Sequence, residues 1–325
     1  MKIGLFGCGA YGMAISSILI ENKCDVTMWT KFDEEKEQLE QTRMNEKLIP
    51  NFKISETIKL TTSIKECIKE KDLLIIAIPA AFVDDLAKAM KPYINNTHHI
   101  LIATKGIEQD TGLFINQILE KYLNTSNIAV ISGPSFAIDL VSKMPAGLSL
   151  ASKKIKTREL AKKALHNNYI KVRETRDIIG VEICGSIKNV IALSAGMLDG
   201  MKATESTKAM FLTEAMHDME EILHAFGAMK KTVKSFSGIG DLILTCTSTK
   251  SRNFSFGKLI GENKSKEEIN EYLKNTTVEG YYTLTSIYKL LKDKHVSIPI
   301  IDLIYDIAVE GESPEKLLTF LVEKE

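Results

Sequence analysis

The sequence predicts an α/β chain: a doubly wound parallel sheet in the first half, then an all-helical second half. Three observations predict it. From residue 2 to about residue 172, short apolar runs alternate with helical patterns, as expected of parallel strands buried on both faces. A Gly7-x-Gly9-x-x-Gly12 motif separates the first apolar run from the first helical one, the context a dinucleotide fingerprint requires. Beyond Asp177 strand patterns fade and long helical periodicity takes over. A chain of 325 residues exceeds one ordinary core. The expected boundary is Thr175 to Asp177, giving a dinucleotide-binding domain at 1–176 and a helical domain at 177–325.

Ile3 to Phe6 read as a buried strand, and Met13 to Ile20 as an apolar helix. Between them Gly7 permits the tight turn, Gly9 lets the backbone approach a pyrophosphate, and Gly12 lets helix and strand pack closely. The helix N-terminus then faces the phosphates. The competing reading is a glycine-rich βα turn that binds nothing. Asp25 to Thr30 form a second strand. A reader of NAD places Asp or Glu at its end, whereas a 2′-phosphate wants a cation. Here the strand ends Thr30-Lys31, and Asp33 lies too far into the next helix to be the obvious ribose ligand. Lys31 is either a mark of NADP use or a solvated lysine at a helix start.

Further strands are predicted at 73–78, 99–103 and 128–131, with later ones at 147–151 and 169–172; helical patterns cover 82–90 and 113–122. Ligands of such sheets bind beyond the carboxyl ends of the strands. That rule selects Pro79-Ala80-Ala81, Thr104-Lys105-Gly106 and the run Ser132 to Ala137. Lys105 is placed to hold a substrate oxygen or phosphate, or is a surface lysine in a turn. Ser132-Gly133-Pro134-Ser135 opens a helix whose amides suit an anion or the cofactor, or is a capped turn.

In the second half, the helix through residues 183–198 reads ICGSIKNVIALSAGML, and Lys188 is its only charge. A lysine in an apolar helix is expensive to bury unless it is paired or does work. The acid/base reading competes with a snorkelling lysine whose head reaches water. Asn189 beside it adds a polar group that an apolar helix does not need. The helix 206–226 is amphipathic, with Met210, Phe211, Met216, Met219 and Leu223 as core; His217 and His224 share a face without matching carboxylates, so no metal site is expected. In the run 237–253, Asp241 and Thr245 are four apart and share a helical face, although Asp241 also suits a cap. Ser251-Arg252-Asn253 is a compact donor set for a phosphate, or a surface turn. Thr277-Val-Glu-Gly280 starts a helix at 281–292, shorter ones follow at 300–309 and 315–322, and 264–274 is a charged, solvated helix.

Lys plus Arg and Asp plus Glu both number 42. The zero net charge gives no reason to expect a nucleic-acid or anionic-membrane partner. The five cysteines are scattered without C-x-x-C spacing and read as buried apolar residues of a reducing cytoplasm. The N-terminus does not read as a signal peptide, and no long uncharged apolar run predicts membrane insertion.

The segments GCGAYG, TKG around Lys105, SGPSFA, VEICGSIKNVIALSAGMLDG, SGIGDLILTCTSTKSRNFSFGKLIG and VEG together resemble the bacterial-type NAD(P)-dependent sn-glycerol-3-phosphate dehydrogenases along essentially the whole chain. The resemblance implies a Rossmann domain followed by an all-α domain like that of 6-phosphogluconate dehydrogenase. It implies reversible hydride transfer between NAD(P)H and C2 of dihydroxyacetone phosphate, without a metal, for glycerophospholipid synthesis. By the same resemblance Lys188 is the general acid/base, and Lys105, Asn189, Asp241 and Thr245 surround the reacting oxygen. Ser251, Arg252 and Asn253 hold the substrate phosphate, with Gly133 and Ser135 as further substrate contacts. Gly7, Gly9, Ala10, Tyr11, Gly12, Lys31, Lys105, Ala137, Arg252, Thr277 and Glu279 match cofactor positions. A cytoplasmic homodimer is also implied. The sequence departs from the family at Thr204-Glu205-Ser206, where Gly-Asp-Asn is usual, and at Thr213-Glu214-Ala215, where Thr-Arg-Gly is usual. Tyr11 replaces a frequent Trp, and Thr277 a common Val. Two alternatives accompany this expectation: a dehydrogenase of another 2-keto compound, and a non-catalytic dinucleotide sensor.

Overall fold

The computed structural model describes residues 1–108, 111–296 and 298–323. The chain divides into two compact units, Met1–Lys105 with Phe114–Val181, and Gly106–Leu113 with Glu182–Glu325. Among the described residues eight strands form one sheet: β1 (Lys2–Phe6), β2 (Asp25–Trp29), β3 (Lys59–Thr61), β4 (Leu73–Ile76), β5 (Ile100–Ile102), β6 (Ile128–Ser132), β7 (Ala146–Ala151) and β8 (Ile170–Thr175). Their order is β3-β2-β1-β4-β5-β6-β7-β8. β1 pairs in parallel on both sides, Phe6 opposite Trp29 and opposite Ile76. The register continues through Ile76 to Ile102 and Ile102 to Val130. The carboxyl ends of β1, β2, β4, β5 and β6 therefore share one edge, which positions the loops that follow them.

Apolar residues on both parities explain the two covered faces. Ile3, Leu5, Leu73, Ile75 and Leu101 share a cluster with Ile15, Ile18 and Leu19 of the helix Ala10–Glu21. The alternate positions Phe6, Leu74, Ile76, Ile100 and Ile102 are equally buried and face the other side. Each such side chain contributes about 1.5–3 kcal/mol on burial. On that second side Gly4 lets the helix Ile64–Ile68 close in, because a Cβ at residue 4 would meet the Cys67 carbonyl oxygen at 2.0 Å.

The structure corrects the predicted sheet in two places. β7 runs antiparallel to β6, with Ser132 opposite Ser149, and β8 is parallel to β7. The β6–β7 connection holds only the five-residue helix Ala137–Val141. Such a helix rises about 7.5 Å, less than half the length of a five-residue strand, so it does not return the chain to the starting edge. β3, an edge strand of three residues with Lys59 exposed, is too short to show periodicity.

The second unit is built on the helix Ile178–Gly200. Among the described residues it is the one helix long and apolar enough to cross a bilayer, and 94% of its most apolar window is buried inside the protein, as in a core helix. It meets the helix Arg252–Gly261 backbone to backbone. A Cβ at Gly196 would lie 2.0 Å from the Phe254 carbonyl oxygen, and one at Gly257 would lie 1.9 Å from that of Leu193. Gly200 and Gly261 repeat the contact one turn further on. The helix Glu205–Ala225 buries Phe211, Met219 and Leu223, but Met210, predicted as core, is 43% exposed. It falls on the solvent side of a helix whose apolar residues exceed its buried stripe. The charged helix Lys266–Asn275 buries no residue, as predicted.

All five cysteines are free and buried. Burial pushes the thiols of Cys8, Cys67 and Cys246 well above their ordinary range. A thiol-reactive dye is therefore expected to label less than one cysteine per native chain within minutes, and all five in denaturant.

Candidate active site

In the first unit the three glycines of the fingerprint do three different things. Gly7 has φ +122°, and a Cβ there would lie 2.4 Å from the Ala77 carbonyl oxygen; the turn excludes any other residue. Gly12 would place a Cβ 2.1 Å from the Gly7 carbonyl oxygen, so it sets the helix-to-strand distance. At Gly9 a Cβ would meet no protein atom within 4 Å. Nothing in the protein requires glycine there, which is what close approach of a ligand predicts. Gly9 is also the N-cap of the helix Ala10–Glu21, without a side-chain cap and without an acid in the first turn. The N–H groups of that turn suit a pyrophosphate, and the residues present fit a dinucleotide.

Around this loop the structure gathers Ala10, Tyr11, Lys105, Gly133 and Ser135. Ser135 Oγ donates to the Gly133 carbonyl at 2.9 Å, so its 3.1 Å pairing with the Tyr11 hydroxyl has Tyr11 as donor. The Lys105 Nζ lies 5.7 Å from the centre of the Tyr11 ring and donates to the Gly133 carbonyl at 3.5 Å. Lys105 is therefore only partly exposed, and the free surface lysine is excluded. Ser135 caps no helix: the next one, beginning at Ala137, has Phe136 at its N-cap. Gly133 admits no side chain, since its Cβ would lie 2.3 Å from the Gly147 carbonyl oxygen. Lys31 is exposed.

In the second unit Lys188 and its helix face are buried, with Lys188 only 5% exposed. It does not snorkel. Its Nζ donates to Asp241 Oδ1 at 2.6 Å and to Thr245 Oγ1 at 3.1 Å. Thr245 spends its own proton on the Asp241 carbonyl at 2.6 Å, which leaves the hydroxyl oxygen to accept from Lys188. Asp241 is 1% exposed and lies in the first turn of the helix Asp241–Cys246, whose N-cap is Gly240. The capping alternative thus gives way to an ion pair.

Ser251, Arg252 and Asn253 do not form a surface turn. Ser251 is the N-cap of the helix Arg252–Gly261 and accepts the Phe254 N–H at 3.2 Å. Ser251 and Asn253 are buried and Arg252 is exposed. Asn253 Oδ1 accepts the Gly280 N–H at 2.8 Å, which turns its Nδ2 protons away from that backbone. Asn189 Nδ2 donates to the Glu279 carboxylate at 3.5 Å, so the polar residue beside Lys188 ties its helix to the helix Glu279–Asp293. Thr277, two residues earlier, is exposed. A cavity of about 320 Å³ in this unit is lined by Ala195, Leu198, Phe211, Cys246 and Phe254 among others, and by none of the residues predicted to bind substrate or cofactor or to act in catalysis.

With this geometry established, comparison with known proteins decides the family. Residues 2–158 match the model of the NAD-dependent glycerol-3-phosphate dehydrogenase N-terminus and residues 177–319 that of its C-terminus. The chain belongs to the NAD-dependent glycerol-3-phosphate dehydrogenase family. It is 32% identical to the glycerol-3-phosphate dehydrogenase [NAD(P)+] of Staphylococcus epidermidis over 327 aligned positions, covering 100% of this chain and 98% of the relative. The enzyme of the same name from Agathobacter rectalis is 32% identical and is covered to 95%. A crystal structure of glycerol-3-phosphate dehydrogenase from Coxiella burnetii superposes with a TM-score of 0.92 at 28% identity, covering 99% of each chain.

Where the chain departs from the family pattern, local structure accounts for one change. Thr204 is the N-cap of the helix Glu205–Ala225 and accepts the Thr207 N–H at 3.2 Å. Nothing in the structure explains Glu214. Sequence reasoning missed Gly280 as a structural contact: a Cβ there would lie 2.3 Å from the Asn189 carbonyl oxygen and 2.9 Å from Asn253 Oδ1. The Val-Glu-Gly motif was visible, but not which neighbour it served.

Two predictions test these assignments. Gly9→Ala is expected to leave the melting temperature unchanged while weakening NADH binding about tenfold or more, because the methyl meets ligand rather than protein; calorimetric titration measures it. Gly280→Ala is expected to raise KM for the phosphorylated substrate more than it lowers kcat, since it displaces the partner of Asn253; steady-state kinetics separate the two.

Proposed function

We propose that this protein reduces dihydroxyacetone phosphate to sn-glycerol 3-phosphate with NAD(P)H, reversibly, as a cytoplasmic homodimer serving glycerophospholipid synthesis. One observation carries the reading: a buried lysine held by a carboxylate and a hydroxyl, on the helix that packs against the Arg252 helix. A carbonyl under reduction needs a proton for its oxygen and a fixed cation beside the developing charge. Lys188 is the group with both properties. Asp241 and Thr245 hold its ammonium in one orientation, and Asn189 fixes the helix that carries it.

The substrate class follows from the second donor set. Ser251 accepts a backbone N–H and keeps its hydroxyl proton to donate; Asn253, with its carbonyl taken by Gly280, presents its amide protons. Arg252 adds a planar cationic fork. Three donors of which one is permanently charged suit a phosphate dianion better than a carboxylate or an alcohol. Within the first unit Gly7, Gly9, Ala10, Tyr11, Gly12 and Ala137 hold the dinucleotide, which when bound supplies the hydride. The resemblance to the family assigns Lys105 and Ser135 to the substrate and Thr277 and Glu279 to the cofactor.

The test is oxidation of NADH or NADPH on addition of dihydroxyacetone phosphate to the purified chain. Lys188→Ala is expected to lower kcat about 10²- to 10⁴-fold. It also strands the Asp241 carboxylate, at about 3–5 kcal/mol, so Lys188→Met with Asp241→Asn serves as the folded control and should be equally inactive. Arg252→Ala is expected to raise KM for dihydroxyacetone phosphate at least tenfold while sparing the slow reduction of unphosphorylated dihydroxyacetone. Near-normal turnover in both Lys188 variants would remove its assigned role.

A further inference from the structure

The sheet brings an acid to the cofactor loop from a place the sequence does not suggest. The Trp29 carbonyl at the end of β2 accepts the Gly7 N–H at 2.9 Å, and Cys8 Sγ lies 3.7 Å from the same oxygen. The next residue, Thr30, is 3% exposed and so is fixed beside the glycine turn. Its Oγ1 accepts the Phe32 N–H at 3.3 Å and donates its proton to the Glu35 carboxylate. Glu35 lies five residues beyond Thr30, in the first turn of the helix Asp33–Thr42, yet this bond draws its carboxylate back to the strand end. Burial first, and then the charge of Glu35, push the Cys8 thiol of the glycine loop above its ordinary range.

We infer that Glu35, oriented by Thr30, reads the adenosine ribose hydroxyls and makes the site selective for NAD(H) against NADP(H). This rests on the reading of the protein as a dinucleotide-dependent reductase. A carboxylate at the exit of β2 accepts from the two ribose hydroxyls and repels a 2′-phosphate. The alternative signal, Lys31, is exposed, where solvent screens it. The first turn of the helix that follows also carries Asp33 and Glu34, which offset the attraction of its N-terminus for a phosphate. Lys36, the next cation, is paired with Glu40 at 3.0 Å.

Calorimetric titration of the full chain with NADH and with NADPH tests the inference without reference to turnover. The wild-type chain is expected to bind NADH about tenfold or more tightly than NADPH, the scale of one like-charge contact. Glu35→Gln keeps an acceptor for Thr30 and should fold with an unchanged melting temperature. It should narrow the ratio about tenfold, mainly through tighter NADPH binding. Thr30→Val, which leaves the charge but removes its tether, should weaken NADH several-fold and NADPH less. Equal affinities in the wild type, or a ratio unchanged in Glu35→Gln, overturn the inference. A chain that binds both dinucleotides in the expected ratio but does not reduce dihydroxyacetone phosphate supports it while removing the proposed reaction. Binding of neither overturns both.

Discussion

The buried pair between Lys188 and Asp241 is the interaction on which the functional half of this molecule depends. Two charges with 5% and 1% exposure are costly to desolvate, and the pair offsets that cost only when its geometry is held. Three features hold it. Asp241 sits at the start of a helix, where a negative charge is favoured. Thr245, one turn on, supplies both an acceptor for the lysine and a donor for the backbone. Asn189 binds Glu279, fixing the lysine helix against its neighbour. A network in which each member has a partner tolerates burial, whereas the same lysine alone would not.

A second constraint recurs in both units: at several positions glycine lets backbone meet backbone. In the first unit Gly7 and Gly12 bring strand and helix together, and Gly133 does the same against β7. In the second, Gly196 and Gly200 on one helix meet Gly257 and Gly261 on the other. Both members of that glycine pair recur every fourth residue, so they lie on one face of each helix. The close approach sets the register of the lysine helix against the Arg252 helix. Helix register here comes from absent side chains as much as from present ones.

Much of the first unit was legible because apolar runs and glycine spacing report local geometry. The glycine fingerprint, most of the strands and the helical second half needed only periodicity. The direction of β7 was not legible, since an apolar run looks the same from either end; the length of the connecting helix decides it. β3 was too short to register. In the site, Lys188 stood out as a lone charge in an apolar helix. Its partner was visible only as one half of an Asp–Thr face, with capping an equally good explanation. Whether Ser251 to Asn253 formed a turn or a helix start depended on a serine cap that many sequences would also carry.

The sequence by itself determined the class of the chain and the family to which it belongs, because both reside in local patterns: period, glycine spacing and short motifs. Only the tertiary structure decided the partnerships. Lys188 meets Asp241 across 53 residues, and Asn253 meets Gly280 across 27. Such contacts are set by packing of helices whose mutual register no local pattern records. At the cofactor loop, where Asp33 read as too far into its helix to be a ribose ligand, the bond from Thr30 draws the Glu35 carboxylate back to the strand end.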